Sequence, residues 1–182
     1  MDGARWTAGS SPTAAAQRAA DVLTALRSEP SVRAERLAAV LTAHGEAAPI
    51  ALPTEDVASL AAAAPAVRAV FEATDTASAA AALNALFHRH AGPPRLTAHG
   101  GTGWHLHVDA DDDGDWGRWF ATSSGLALAV LLAERQAPPG GVCAAPGCGA
   151  PFVAHGAGSP RRFCSARCAT RVRVARHRSA GT

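Results

Sequence analysis

Cys143 Ala Ala Pro Gly Cys148, then fifteen residues, then Cys164 Ser Ala Arg Cys168, running into Ala Thr Arg Val Arg Val Ala Arg His Arg178, is the stretch on which the reading of this chain turns. It holds every cysteine in the sequence, as two close pairs. Short loops return the sulfurs of a C-x4-C and a C-x3-C pair to a common point, and four thiolates at one point are the ligand set of a closed, tetrahedral Zn2+ site. In a reducing cytosol, paired cysteines are more often metal ligands than disulfides. The spacing therefore predicts one structural zinc ion held by Cys143, Cys148, Cys164 and Cys168, fixing the basic helix that follows.

Charge separates this segment from the rest. Residues 1 to 140 carry ten arginines against all fifteen Asp and Glu, a net −5, whereas residues 141 to 182 carry seven arginines and no acid, a net +7. Such asymmetry points to a tail that faces a polyanion on a neutral-to-acidic body. The chain contains no Lys, so arginine abundance alone says little and its placement says more. No apolar run approaches the roughly 18 residues that span a bilayer, and the N-terminus lacks the pattern of a signal peptide, so a cytoplasmic protein without a membrane partner is expected.

Outward from the cysteines, Pro138 Pro139 Gly140 Gly141 reads as the boundary between a main domain over 1–137 and a module over 141–182. Residues 1 to 12 have no periodicity and read as a frayed lead-in. Apolar periodicity then predicts helices over 13–28, over 31–44 with Ser31 as cap and Gly45 as stop, from Thr54 with a kink or split at Pro65, over 76–90, and over 115–136. Between the last two, Arg95–His99 and Trp104–Asp109 alternate around a glycine-rich turn, which predicts a β-hairpin. The alanine-rich helices offer no convergent polar set and read as core. The expected fold is mainly α with one β-hairpin: a multihelical N-terminal domain plus a small C-terminal four-cysteine module, zinc-ribbon-like or treble-clef-like, ending in a basic helix.

Within the module, Gly149 to Val153 suggests a short strand, Gly156 to Pro160 a turn, and Phe152 and Phe163 are the large side chains available to cover the metal. The first pair with Pro inside it, Arg161 Arg162 Phe163 Cys164 Ser165, and Cys168 with Arg171 and Ala175 Arg176 His177 Arg178 resemble the CGNR zinc-finger family. Its members join such a module to an N-terminal ABATE domain. The tetrapeptide that gives the family its name reads Cys168 Ala169 Thr170 Arg171 here. The resemblance implies a bacterial, stress-responsive transcription regulator whose zinc module binds DNA and whose N-terminal domain senses a small-molecule effector.

The residues support the DNA half on their own. At 100° per residue, Cys168, Val172 and Ala175 share one face, Arg167, Arg171 and Arg178 form a row a quarter-turn away, and Arg173 and Arg176 lie on the far side. With Arg161 and Arg162 these are the candidate nucleic-acid contacts, since guanidinium groups along one helix can follow phosphates or enter a groove. Two other readings stand beside this one: a solvated terminal helix, and a protein-interaction or assembly module with structural zinc and no nucleic acid, its main domain forming a homodimer.

Asp109 to Asp115 matches the first half of a calcium-binding EF-hand loop, but Phe120 stands where the bidentate Glu belongs, so an acidic loop with Asp115 capping the next helix is favoured. His105 and His107 alternate on one strand face and, with Trp104, could line a ligand pocket, with His88, His90 and His99 near in sequence. His155 is a substitute metal ligand that four cysteines make superfluous. No nucleophile motif, phosphate-binding loop or paired carboxylates are evident, so no enzyme is expected.

Overall fold

The computed structural model describes residues 11–98, 103–110, 115–154 and 161–180. Residues 1–10 of the lead-in expected over 1–12, His99, most of the first hairpin's turn, the centre of the Asp109–Asp115 loop, His155 and the turn at 156–160 lie outside them, while Ser11 and Pro12 belong to the start of the first helix. Ser11 caps α1 (Pro12–Ala25), its hydroxyl accepting from the Ala14 N–H at 3.1 Å. The helix stops three residues short of the expected Ser28, because the Arg27 and Ser28 N–H groups turn to the Thr24 and Ala25 carbonyls in a tightened last turn. In α2 (Pro30–Ala43), Pro30 rather than Ser31 opens the helix. Its fixed φ and missing N–H suit the first helical position, where no partner for that N–H exists.

The third helix, α3 (Thr54–Glu72), continues through Pro65 without a split. Pro65 costs one backbone hydrogen bond, and the neighbouring Leu60, Ala63, Val67, Val70 and Phe71, all buried, hold the helix together across it. Asp75 and Ser78 form a reciprocal capping box for α4 (Thr76–His90). Strands β1 (Arg95–Thr97) and β2 (His105–His107) pair antiparallel in the register Arg95 to His107, Leu96 to Leu106 and Thr97 to His105, forming the expected hairpin with shorter strands. Asp115 caps α5 (Trp116–Arg135), accepting from the Gly117 and Arg118 N–H groups, and Gln136 ends it in the left-handed region. The module follows as β3 (Gly140–Val142), β4 (Pro151–Val153) and α6 (Ala166–Ala180).

The fifth helix is the axis of the core, packing on α1, α3 and α4. Buried Phe120, Ala121, Leu128 and Leu131 meet Val22, Leu23, Leu60, Val67, Leu83 and Leu86 in one apolar cluster. Close approach to α3 requires Gly117, where a Cβ would lie 2.3 Å from the Ser59 carbonyl oxygen. α2 closes one side through fully buried Leu37 and Leu41.

The expectation that these helices hold no convergent polar set is corrected by Arg18. Its guanidinium is buried in α1, donates to Glu46 Oε1 at 3.0 Å and to Ser123 Oγ at 3.1 Å, and lies 4.4 Å from the centre of the Trp119 ring. Burial lowers its pKa from the ordinary value, with Glu46 acting the other way, and a guanidinium remains charged regardless. No periodicity argument could find it, because the long stem packs as an apolar side chain would and only the head needs partners.

The β3–β4 hairpin joins this core. Its register is Gly140 to Val153, Gly141 to Phe152 and Val142 to Pro151, so the residues read as a linker form a strand. Val153 has no exposed surface and sits in the helical cluster, packed with α1 and α3, a burial worth about 1.5–3 kcal/mol. The strand passes Phe71 so closely that a Cβ on Gly140 would meet the Phe152 carbonyl oxygen at 2.3 Å and the Phe71 ring at 2.7 Å. Gly140→Ala is therefore expected to destabilise the protein by about 1–3 kcal/mol. A fall in the urea midpoint with an unchanged slope would record it, and a midpoint equal to wild type would refute the close packing.

Candidate metal centre

Cys143 and Cys148 come from the loop at the tip of the β3–β4 hairpin, Cys164 from the approach to α6 and Cys168 from its first turn. The first loop is tied by the Cys143 N–H donating to the Ala150 carbonyl and the Cys148 N–H donating to the Ala145 carbonyl, both at 2.9 Å. It turns through Gly147 and Gly149 at φ +71° and +56°, the left-handed values that glycine adopts without strain. The Ala144 N–H donates to the Arg162 carbonyl and so fastens the two halves together. Ser165 starts α6, its hydroxyl accepting from the Cys168 N–H at 3.3 Å.

The four Sγ atoms lie within 4.8 Å of one another. Three of the separations are 3.7 Å (Cys148 to Cys164), 3.8 Å (Cys164 to Cys168) and 3.8 Å (Cys168 to Cys148). A tetrahedron of Zn–S bonds of about 2.3 Å has edges of about 3.8 Å, so the donor set fits zinc. Among the described residues, this is the one group of three or more Cys, His, Asp and Glu able to hold a metal. Phe163, Ala145 and Val172 pack against the sulfurs. The expectation that Phe152 shares this cover is corrected: its ring is buried between Gly141 and the Arg161 guanidinium, 5.1 Å from its centre.

Metal-free, Cys143 and Cys164 shift in opposite directions. Burial pushes Cys143 up, but the Cys164 and Ala145 N–H groups and the Cys148 and Cys164 thiols outweigh it and bring Cys143 down to about 7. Burial first, then the Cys143, Cys148 and Cys168 thiols, push Cys164 up to about 12, against a smaller pull downward from Ser165. Such a cluster cannot carry four negative charges without a cation at its centre, and zinc uptake must expel protons.

A hairpin-tip knuckle giving two cysteines and a helix start giving two more define a treble-clef-like zinc module. Residues 141–180 match the family model of the CGNR zinc finger. No curated protein matches the chain.

Around the metal, the candidate arginines divide into two kinds. Arg161 donates to the Phe163 carbonyl at 2.7 Å and to the Cys164 carbonyl, and Arg162 stacks near Phe163. Arg171 reaches back to the Pro146 carbonyl at 3.2 Å and lies 3.9 Å from Cys168 Sγ. These three brace the module while remaining exposed. Arg167, Arg173 and Arg176 are exposed and have no acidic partner among the described residues, and Arg178 is exposed near the end of α6. The helix buries Cys168 and half-buries Val172, but Ala175, expected on the same inward face, is exposed.

The first hairpin brings His105 and His107 together, ring centres 4.8 Å apart. His107 faces Asp109 Oδ1 at 3.1 Å, and Arg95 donates to the same carboxylate at 2.7 Å. Trp104 is 76% exposed, with Leu96 and Leu106 exposed beside it. His88 is exposed and His90 half-buried, its pKa lowered by burial and then by Arg89 and Arg118. Asp115 is committed to the cap of α5 and to the Ser59 hydroxyl.

The protein is expected to retain one equivalent of zinc, and Cys164→Ser to lose most of it, as measured by metal analysis after dialysis against a weak chelator. Because uptake expels protons, affinity in chelator competition should fall as pH is lowered, by about tenfold per unit for each proton displaced. A flat pH profile would contradict the thiol cluster described.

Proposed function

We propose that the module over 141–180 binds duplex DNA through α6, with zinc fixing the helix, as part of a transcription regulator. The carrying observation is that residues 173–179 of α6 are all exposed. Its last two turns project Arg173, Arg176 and Arg178 from a segment with no acidic residue at all. An arginine-bearing helix of 15 residues, about 22 Å long, has the diameter that a major groove admits and a charge opposite to that of the groove's walls. The family of the matching segment is a zinc finger, in keeping with this reading. The finer assignments, an ABATE-type sensing body and regulation in response to stress, are drawn from the resemblance of this module to the CGNR zinc finger and from its place after a helical body.

A second reading, a protein-interaction module, draws on Val174, 42% exposed on α6 among the arginines. Salt separates the two. Anisotropy of a labelled arbitrary duplex should show binding by the zinc-loaded chain at about 50 mM salt that weakens steeply by about 200 mM. Replacing Arg173 and Arg176 together with Ala should flatten the log–log salt slope by about 2, close to 0.9 for each phosphate no longer neutralised. Absence of binding even at low salt would sink the DNA reading and leave the protein-contact one.

A further inference from the structure

We infer that the helical body takes part in the nucleic-acid interface: Arg27, at the end of α1, joins Arg167 and Arg171 to seat a backbone phosphate of duplex DNA in a groove between α1, the zinc knuckle and the start of α6. This inference rests on the DNA reading above and assigns it a contact outside the zinc module. The groove has a volume of about 840 Å3 and is lined by Thr24 and Arg27 of the body, by Gly147, Cys148 and Ala150 of the knuckle, and by Arg167, Thr170 and Arg171 of α6. Three arginines line it and no acidic residue does.

Arg27 lies beside the knuckle. A Cβ on Gly149 would lie 3.8 Å from both terminal nitrogens of its guanidinium, an ordinary contact distance, so the group lies alongside the knuckle backbone at that residue. From α3, Arg68 donates to the Gly149 carbonyl at 3.4 Å, fixing the same residue from the other direction. Two of the groove's three charges are uncommitted: among the described residues neither Arg27 nor Arg167 has an acidic partner, whereas Arg171 is engaged with the Pro146 carbonyl. The groove also receives the first residues of α6, Ala166 and Arg167, where the helix dipole favours an anion.

One internal anion competes for these charges, since four thiolates around Zn2+ leave two net negative charges and both Cys148 and Cys168 line the groove. Arg171, near Cys168 Sγ, offsets part of this. Direction favours an external ligand for the rest: Arg167, Arg171 and Arg178 form one row about 16 Å long, leading from the groove to the exposed end of α6. A phosphate strand following that row reaches Arg27 at its inner end.

The test is anisotropy of the zinc-loaded full chain on a labelled duplex across a salt series, with metal content measured on each sample. Arg27→Ala should weaken binding about fivefold at low salt and flatten the salt slope by about 0.9, with zinc content unchanged. Arg27→Lys should keep most of the slope, and Arg89→Ala, which removes an arginine from α4 outside the groove, should bind as wild type does. Wild-type affinity and slope in Arg27→Ala would overturn the inference while leaving binding through α6 intact. Loss of zinc in step with loss of binding would overturn it too, by assigning Arg27 to the thiolates, and failure of the wild-type chain to bind would remove both readings together.

Discussion

Val153 is covered by helices and yet belongs to the same hairpin as two metal ligands. Everything the C-terminal segment does depends on that double attachment. At its base the β3–β4 hairpin is sealed into the apolar cluster of α1, α3 and α5; at its tip it offers Cys143 and Cys148 to a site completed from α6. Neither end has enough apolar surface to order the segment alone, because the sulfur cluster adds only Ala145, Phe163 and Val172 to the ligands themselves. The metal supplies the missing cohesion at one end and the helical core supplies it at the other.

The elements with the longest periodic signal were the most legible. The span of α5 and its Asp115 and Gln136 ends could be read from a run of apolar residues bounded by an acid and a turn. Four cysteines at ligand spacing announced their own convergence. Elsewhere, tertiary packing overrode local rules. Pro65 marks a break by propensity, yet it lies on the exposed side of α3, and the buried Leu60, Ala63, Val67 and Val70 on the other side keep the helix continuous. Gly140 and Gly141 read as punctuation because glycine usually is, whereas here the missing side chains are what allow a strand to pass over Phe71 and Phe152.

The candidate site shows the same division. Ligand identity follows from residue type and spacing, but the role of an arginine depends on which carbonyl lies within reach, and sequence does not encode that at short range. Arg161, a candidate nucleic-acid contact, turns inward to the Phe163 carbonyl, whereas Arg171, placed in the arginine row by helical spacing, touches the Pro146 carbonyl and still lines the groove beside Arg167. Arg18 is the converse case: the basic residue of an alanine-rich helix, indistinguishable from a surface arginine until Glu46 and Ser123 are seen to meet it across 28 and 105 positions of chain.

The exposure of residues 173–179 of α6 has a mechanical side. Among the described residues α6 is gripped only through its first two turns, so a tilt of about 10° at Cys168 would carry its far end, about 18 Å away, by about 3 Å, close to the axial rise per phosphate along one strand of a duplex. Since that grip is continuous, through the knuckle and β4, with Val153 and the packing of α1 and α3, small repacking in the body arrives at the arginines amplified. The direction in which α6 points is thus set by the core, one hairpin away.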